Sequence, residues 1–155
     1  MNLIISFFFI INLFFGICRA DTNEFFEIDK KNFIAVKIKK DLQGNIERGK
    51  KIFISRKVNC LSCHEAPIIE EKFQGNFGPP LSGIGSRYNK EELRLRVIDS
   101  KSINPDSIMP SYFKKIKFER TPAEFLNKTI LSAQEVEDLV AVSYTHLTLP
   151  TICSV

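Results

Sequence analysis

Cys60, Leu61, Ser62, Cys63 and His64 read C-x-x-C-H. Two thiols three positions apart can add across the two vinyl groups of a haem, and the histidine that follows can bind the iron from one face. The same cysteine spacing serves zinc sites and thioredoxin-like redox sites. No second C-x-x-C completes a four-thiolate zinc site, and the other histidine, His146, lies far away in a C-terminal tail. No βαβ pattern surrounds the motif, as a thioredoxin-like site requires. Covalent haem attachment is the simplest chemistry for these residues.

An iron held by one histidine needs a sixth ligand or keeps an open position for a small molecule. Apart from the initiator, the chain contains one methionine, Met109, in the proline-stiffened segment Ile108-Met109-Pro110. A thioether is a soft ligand that favours ferrous iron, and His/Met ligation raises the potential to suit an electron carrier. The alternative fate of Met109 is an ordinary loop or core methionine. A ligating histidine also needs an acceptor for its second ring N–H, which fixes the tautomer. Gly78-Pro79-Pro80-Leu81 forms a rigid loop in which the carbonyl of Pro79 or Pro80 can serve.

The elements that position these groups follow from pattern. Leu3 to Phe15 is an almost unbroken apolar run, and Cys18-Arg19-Ala20 then gives a small-x-small pattern ahead of polar residues. This is a signal-peptide layout with cleavage expected after Ala20 and export to the periplasm. An uncleaved anchor is the alternative, although the run is short of the roughly 20 apolar residues a span requires. A lipoprotein reading of Cys18 is disfavoured by Ile17. Five of the 14 phenylalanines and one positive charge (Arg19) of the formal +4 leave with the signal. No dense basic run interleaved with aromatics is present, so nucleic acid is not an expected partner. No membrane association is expected after cleavage.

Residues 21–43 are charged and mixed, with Phe33 to Val36 as a possible short strand, and predict an N-terminal extension on the domain surface. Ile46, Gly49, Phe53 and Ile54 share one face of a helix over about 46–56. Gly49 in mid-helix costs roughly 1 kcal/mol relative to Ala, which predicts close approach of another helix there. Gly75, Gly78, Pro79, Pro80, Gly83 and Gly85 predict an irregular loop. Asn89 with Glu92 opens a helix through about Asp99. Ser132 with Glu135 opens the last one, where Val136, Leu139 and Val140 form the apolar stripe.

The order of Gly49/Phe53 helix, C-x-x-C-H, Gly-Pro-x-Leu, methionine loop and capped final helix resembles a class I cytochrome c. The resemblance implies an all-α fold with about three main helices around one covalently bound haem c, over residues 44–141. More narrowly, Gly75 to Tyr88, Ile103-Asn104-Pro105 through Tyr112, and Leu131 to Ala141 resemble the X-subunit family of the Sox thiosulfate-oxidising system, SoxX. That resemblance implies thioethers at Cys60 and Cys63, iron ligation by His64 and Met109, and the Pro79 carbonyl receiving the His64 N–H. It implies no catalytic residue on this chain. Its implied partners are a SoxA-like haem subunit, a SoxYZ-like carrier protein and a downstream cytochrome c. The implied role is electron transfer within an L-cysteine S-thiosulfotransferase that couples thiosulfate oxidatively to a carrier cysteine.

Rival readings are a free-standing soluble electron carrier and a gas-binding or sensory haem domain. Lys114, Lys115 and Lys117 follow the methionine loop and could ring a haem edge or equally form an ordinary solvated lysine face, while Arg87 and Tyr88 could reach a propionate. Beyond Ala141, Thr145, Thr148, Pro150 and Thr151 are poor helix material and the apolar stripe is lost. Residues 142–155 resemble translated adapter sequence and are expected not to be native; an authentic genomic codon series for them would contradict this.

Overall fold

In a computed structural model, residues 24–115, 120–123 and 126–147 are described. The expected signal peptide, Lys117, Cys153 and most of the tail lie outside them. The expected capped helices form. Helix α1 (Ile46–Phe53) opens on Asn45, whose side chain accepts from the Arg48 N–H. It ends short of the expected Arg56. Helix α2 (Ile84–Arg87) is a single turn and α3 spans Lys90–Asp99. The last, α4, spans Ala133–Ala141. Reciprocal capping boxes are present at Asn89/Glu92 and Ser132/Glu135.

The glycine in α1 has the expected cause. A Cβ on Gly49 would lie 2.0 Å from the Asp138 carbonyl oxygen, so α1 and α4 cross backbone to backbone. Asp138, fully buried, locks the crossing by accepting from the Asn45 N–H at 2.8 Å and from Arg48 Nε at 2.8 Å.

Three expectations are corrected. The N-terminal extension is not a surface appendage. Strands β1 (Phe26–Asp29) and β2 (Ile34–Lys37) pair antiparallel, with Phe26 opposite Lys37 and Asp29 opposite Ile34. Phe26 and Ala35 are buried in the core. Phe26 packs edge-on against Phe113 at 5.2 Å between centroids, and the buried Arg94 donates to the Ala35 carbonyl at 2.7 Å while pairing with Glu137 of α4. Charged residues on the outer face hid this burial from a reading by composition. Second, the glycine–proline loop contains α2, opened by Gly83 at φ +67°. Third, the stripe beyond Ala141 is recovered through a change of helix type. Residues Val142–His146 form a π-turn, closed by Leu147 N–H to Val142 C=O at 3.1 Å. That i to i+5 spacing buries both Val142 and Leu147, which α spacing would separate.

Candidate functional site

The C-x-x-C-H motif is a tight turn. Asn59 enters it in the left-handed region at φ 51°, Cys60–Ser62 make one 3₁₀ turn, and the His64 N–H returns to the Cys60 carbonyl at 3.0 Å. The two cysteines are half-buried free thiols. Burial, with Cys63 nearby, pushes the Cys60 thiol up to about 12.

Backbone from the downstream loop closes over the motif. The Gly75 N–H donates to the Leu61 carbonyl at 2.8 Å, Gly78 to Cys63 at 2.6 Å, and Leu81 to Glu65 at 2.8 Å. A Cβ on Gly75 would lie 2.0 Å from the Ser62 carbonyl oxygen, and one on Gly78 2.4 Å from the His64 ring. Nothing larger than glycine fits at either place without movement. The result is a fixed imidazole, with His64 Nδ1 2.8 Å from the Pro79 carbonyl oxygen. A carbonyl can only accept, so Nδ1 carries the proton and Nε2 keeps its lone pair for a metal.

Arg87 donates to the Pro80 carbonyl at 2.6 Å and to the Ser82 carbonyl at 2.8 Å. Tyr88 lies under the Arg96 guanidinium, 3.7 Å from its ring centroid. Both therefore help to hold the loop that carries Pro79.

Met109 lies on a separate segment, half-buried against the core. Its carbonyl accepts from Ser100 Oγ at 2.6 Å, and its N–H donates to Ser107 Oγ at 3.2 Å. Tyr112, three residues on, ties this segment to the motif. Its buried hydroxyl donates to the Val58 carbonyl at 2.8 Å, two residues before Cys60. Burial, reinforced by Cys60 and Cys63, holds the phenol far above its ordinary range, so it stays a donor.

Lys114 pairs with Asp99 at 2.9 Å. Burial tends to raise the Asp99 pKa. Hydrogen bonds from Lys114, Ser111 and Ser102, with the charge of Lys114, outweigh burial and hold it below the usual carboxylate value. Sequence reading missed Tyr112 and Asp99. A carboxylate in the last turn of a helix opposes the helix dipole, and that was the one local signal available for Asp99.

These residues fit a haem. Two free thiols, a histidine with one nitrogen oriented and one available, and a soft thioether form a coherent donor set. Phe77 and Ile108, each one residue from Gly78 and Met109, are 76% and 69% exposed and suit an apolar macrocycle. Among the described residues no group of three or more His, Cys, Asp and Glu side chains is arranged to hold a metal ion by itself. A groove of about 410 Å³ along Glu65, Ile68, Lys72 and Gln74 includes neither the thiols nor Met109.

The cytochrome c family model matches residues 46–141. This chain belongs to the cytochrome c family. Covalent haem c goes with membership, and the C-x-x-C-H turn lies within the matched span. The cytochrome is also similar to a chain in the crystal structure of SoxXA from P. pantotrophus. That match has a TM-score of 0.69 and 27% identity, and covers 80% of this chain and 95% of that chain. No curated protein matches. Family and neighbour together make this a SoxX-like c-type cytochrome with the all-α class I fold, to which the hairpin is an addition. Among the described residues, no helix of this cytochrome is long and apolar enough to cross a membrane.

Proposed function

We propose that this cytochrome is an exported, periplasmic monohaem electron-transfer subunit of a SoxAX-like complex. Cys60 and Cys63 carry the thioethers. His64, oriented by Pro79, and Met109 would ligate the iron. A haem c held there supplies one-electron transfer. The protein's own part is to fix the His64 tautomer, deliver a soft ligand from the Met109 loop and surround the site with apolar side chains.

The bond-forming chemistry, which couples thiosulfate to a SoxYZ-like carrier cysteine, belongs to a SoxA-like haem subunit. Each coupling releases two electrons, which leave through this chain to a downstream cytochrome c. No acid, base or nucleophile is assigned here.

The observation that carries the reading is the 2.8 Å contact between His64 Nδ1 and the Pro79 carbonyl, in a chain whose fold is similar to SoxXA. It leaves Nε2 as an oriented ligand. Co-purification from the native host tests the assignment. A second haem protein retained through size exclusion supports the subunit reading, and a lone monomer competent in electron transfer contradicts it.

A further inference from the structure

The Met109 loop leaves α3 at Asp99 and returns beside it. The Asp99 carboxylate is 5% exposed. Ser111 Oγ donates to Oδ1 at 2.7 Å, while Ser102 Oγ and Lys114 Nζ donate to Oδ2, each at 2.9 Å. The donors come from both ends of the loop: Ser102 at its start, Ser111 and Lys114 at its close. Backbone bonds from Tyr112 N–H to Val97 C=O and from Phe113 N–H to Ile98 C=O, both 3.2 Å, lie alongside. Ser100, next to Asp99, is the residue that binds the Met109 carbonyl.

A buried carboxylate at the C-terminal end of a helix is costly unless its donors are all in place. With them it joins two chain segments at one point. Opening the loop would strand that charge, so the network resists any movement that withdraws Met109. We propose that Asp99 is a positioning residue for Met109, latching the ends of its loop together and thereby setting how firmly the thioether holds its place on the iron. The inference rests on Met109 being the sixth ligand.

The test uses the ferric holoprotein and an exogenous ligand, imidazole, that competes for the Met109 position. Asp99→Asn and, in case it does not fold, the double variant Ser102→Ala/Ser111→Ala are compared with wild type. Glu137→Gln, which weakens the buried Arg94 pair away from the loop, serves as the control for general destabilisation. The latch predicts a weakened methionine–iron charge-transfer band in the latch variants. It also predicts imidazole binding about tenfold tighter, the ratio that losing one hydrogen bond to a charged group supplies. Glu137→Gln should lower the Tm and leave imidazole affinity within about twofold of wild type.

Unchanged imidazole binding and an unchanged band in the latch variants overturn the proposal, as does equal tightening in Glu137→Gln. Met109→Ala separates the two claims. If that variant keeps the wild-type band, the ligation reading has failed. If it loses the band while the latch variants behave as wild type, the latch alone has failed.

Discussion

The two segments that bracket the candidate iron site are held by different physics. Around His64 the restraint is backbone against backbone: N–H donors from Gly75 and Gly78 reach carbonyls of the motif and that of Leu81 reaches Glu65 just after it, and glycine is required where the loop touches it. Around Met109 two backbone bonds, from Tyr112 and Phe113 to α3, are joined by side-chain donors gathered on one buried carboxylate. Close-packed backbone has hard-sphere stiffness and moves little without unfolding. A hydrogen-bonded latch yields for a few kcal/mol. Under the proposed His64/Met109 ligation the site would have a fixed face and a releasable one, with ligand exchange and loop opening on the Met109 side.

The largest effect separating the two faces should come from Gly75→Ala. Its Cβ would sit 2.0 Å from the Ser62 carbonyl oxygen and neither backbone can rotate away. We expect a loss of about 3 kcal/mol or more, at or beyond the upper end for overpacking, and a sharp fall in the yield of haem-loaded protein, measured by haem absorbance per polypeptide. Ser111→Ala should cost about 1.5–3 kcal/mol, since it removes a hydrogen bond to a buried charge. Its haem yield should be unchanged. Denaturant unfolding followed at the haem and in the far ultraviolet would show whether the Met109 side alone is loosened.

Acid should act through the latch. The folded Asp99 carboxyl lies below its ordinary value, so in the window between folded and unfolded pKa values the unfolded chain binds more protons. Stability is then fully present above the ordinary carboxylate range and is lost as pH falls through the folded value. Glu135 is shifted in the same direction, with burial opposing but Lys57 and Ser132 prevailing. Asp99→Asn should therefore remove part of the acid-induced fall in Tm and leave the Glu135 part, while lowering the Tm at neutral pH.

The smallest effect is expected from Pro79→Ala. The acceptor for His64 is a backbone carbonyl that alanine also provides. Loss of ring rigidity should cost about 0.4–1 kcal/mol, with the ferric spectrum unchanged. A spectrum that changes strongly would mean that the ring itself, rather than the carbonyl, positions the imidazole.

Much of the fixed face was legible in the sequence because its determinants are local. C-x-x-C-H names its own chemistry, both capping boxes follow from residue spacing, and Gly49 signals its helix crossing through the cost of glycine in a helix. The Gly-Pro-Pro-Leu loop left the acceptor open between two prolines, and the fold places Pro79 there. What could not be read depends on contacts between distant segments. Asp99 resembles any polar helix end until Ser111 and Lys114 return to it. The hairpin's burial depends on Phe113 and Arg94, which lie far along the chain. The recovery of Leu147 depends on a π-turn, whose spacing no α-helical pattern contains.

Near-infrared magnetic circular dichroism of the ferric holoprotein tests the two-faced site most directly, because it reports both axial ligands at once. Ligation by His64 and Met109 predicts the low-spin signature of one histidine and one methionine. A bis-histidine signature, or the high-spin signature of histidine with water, would contradict it.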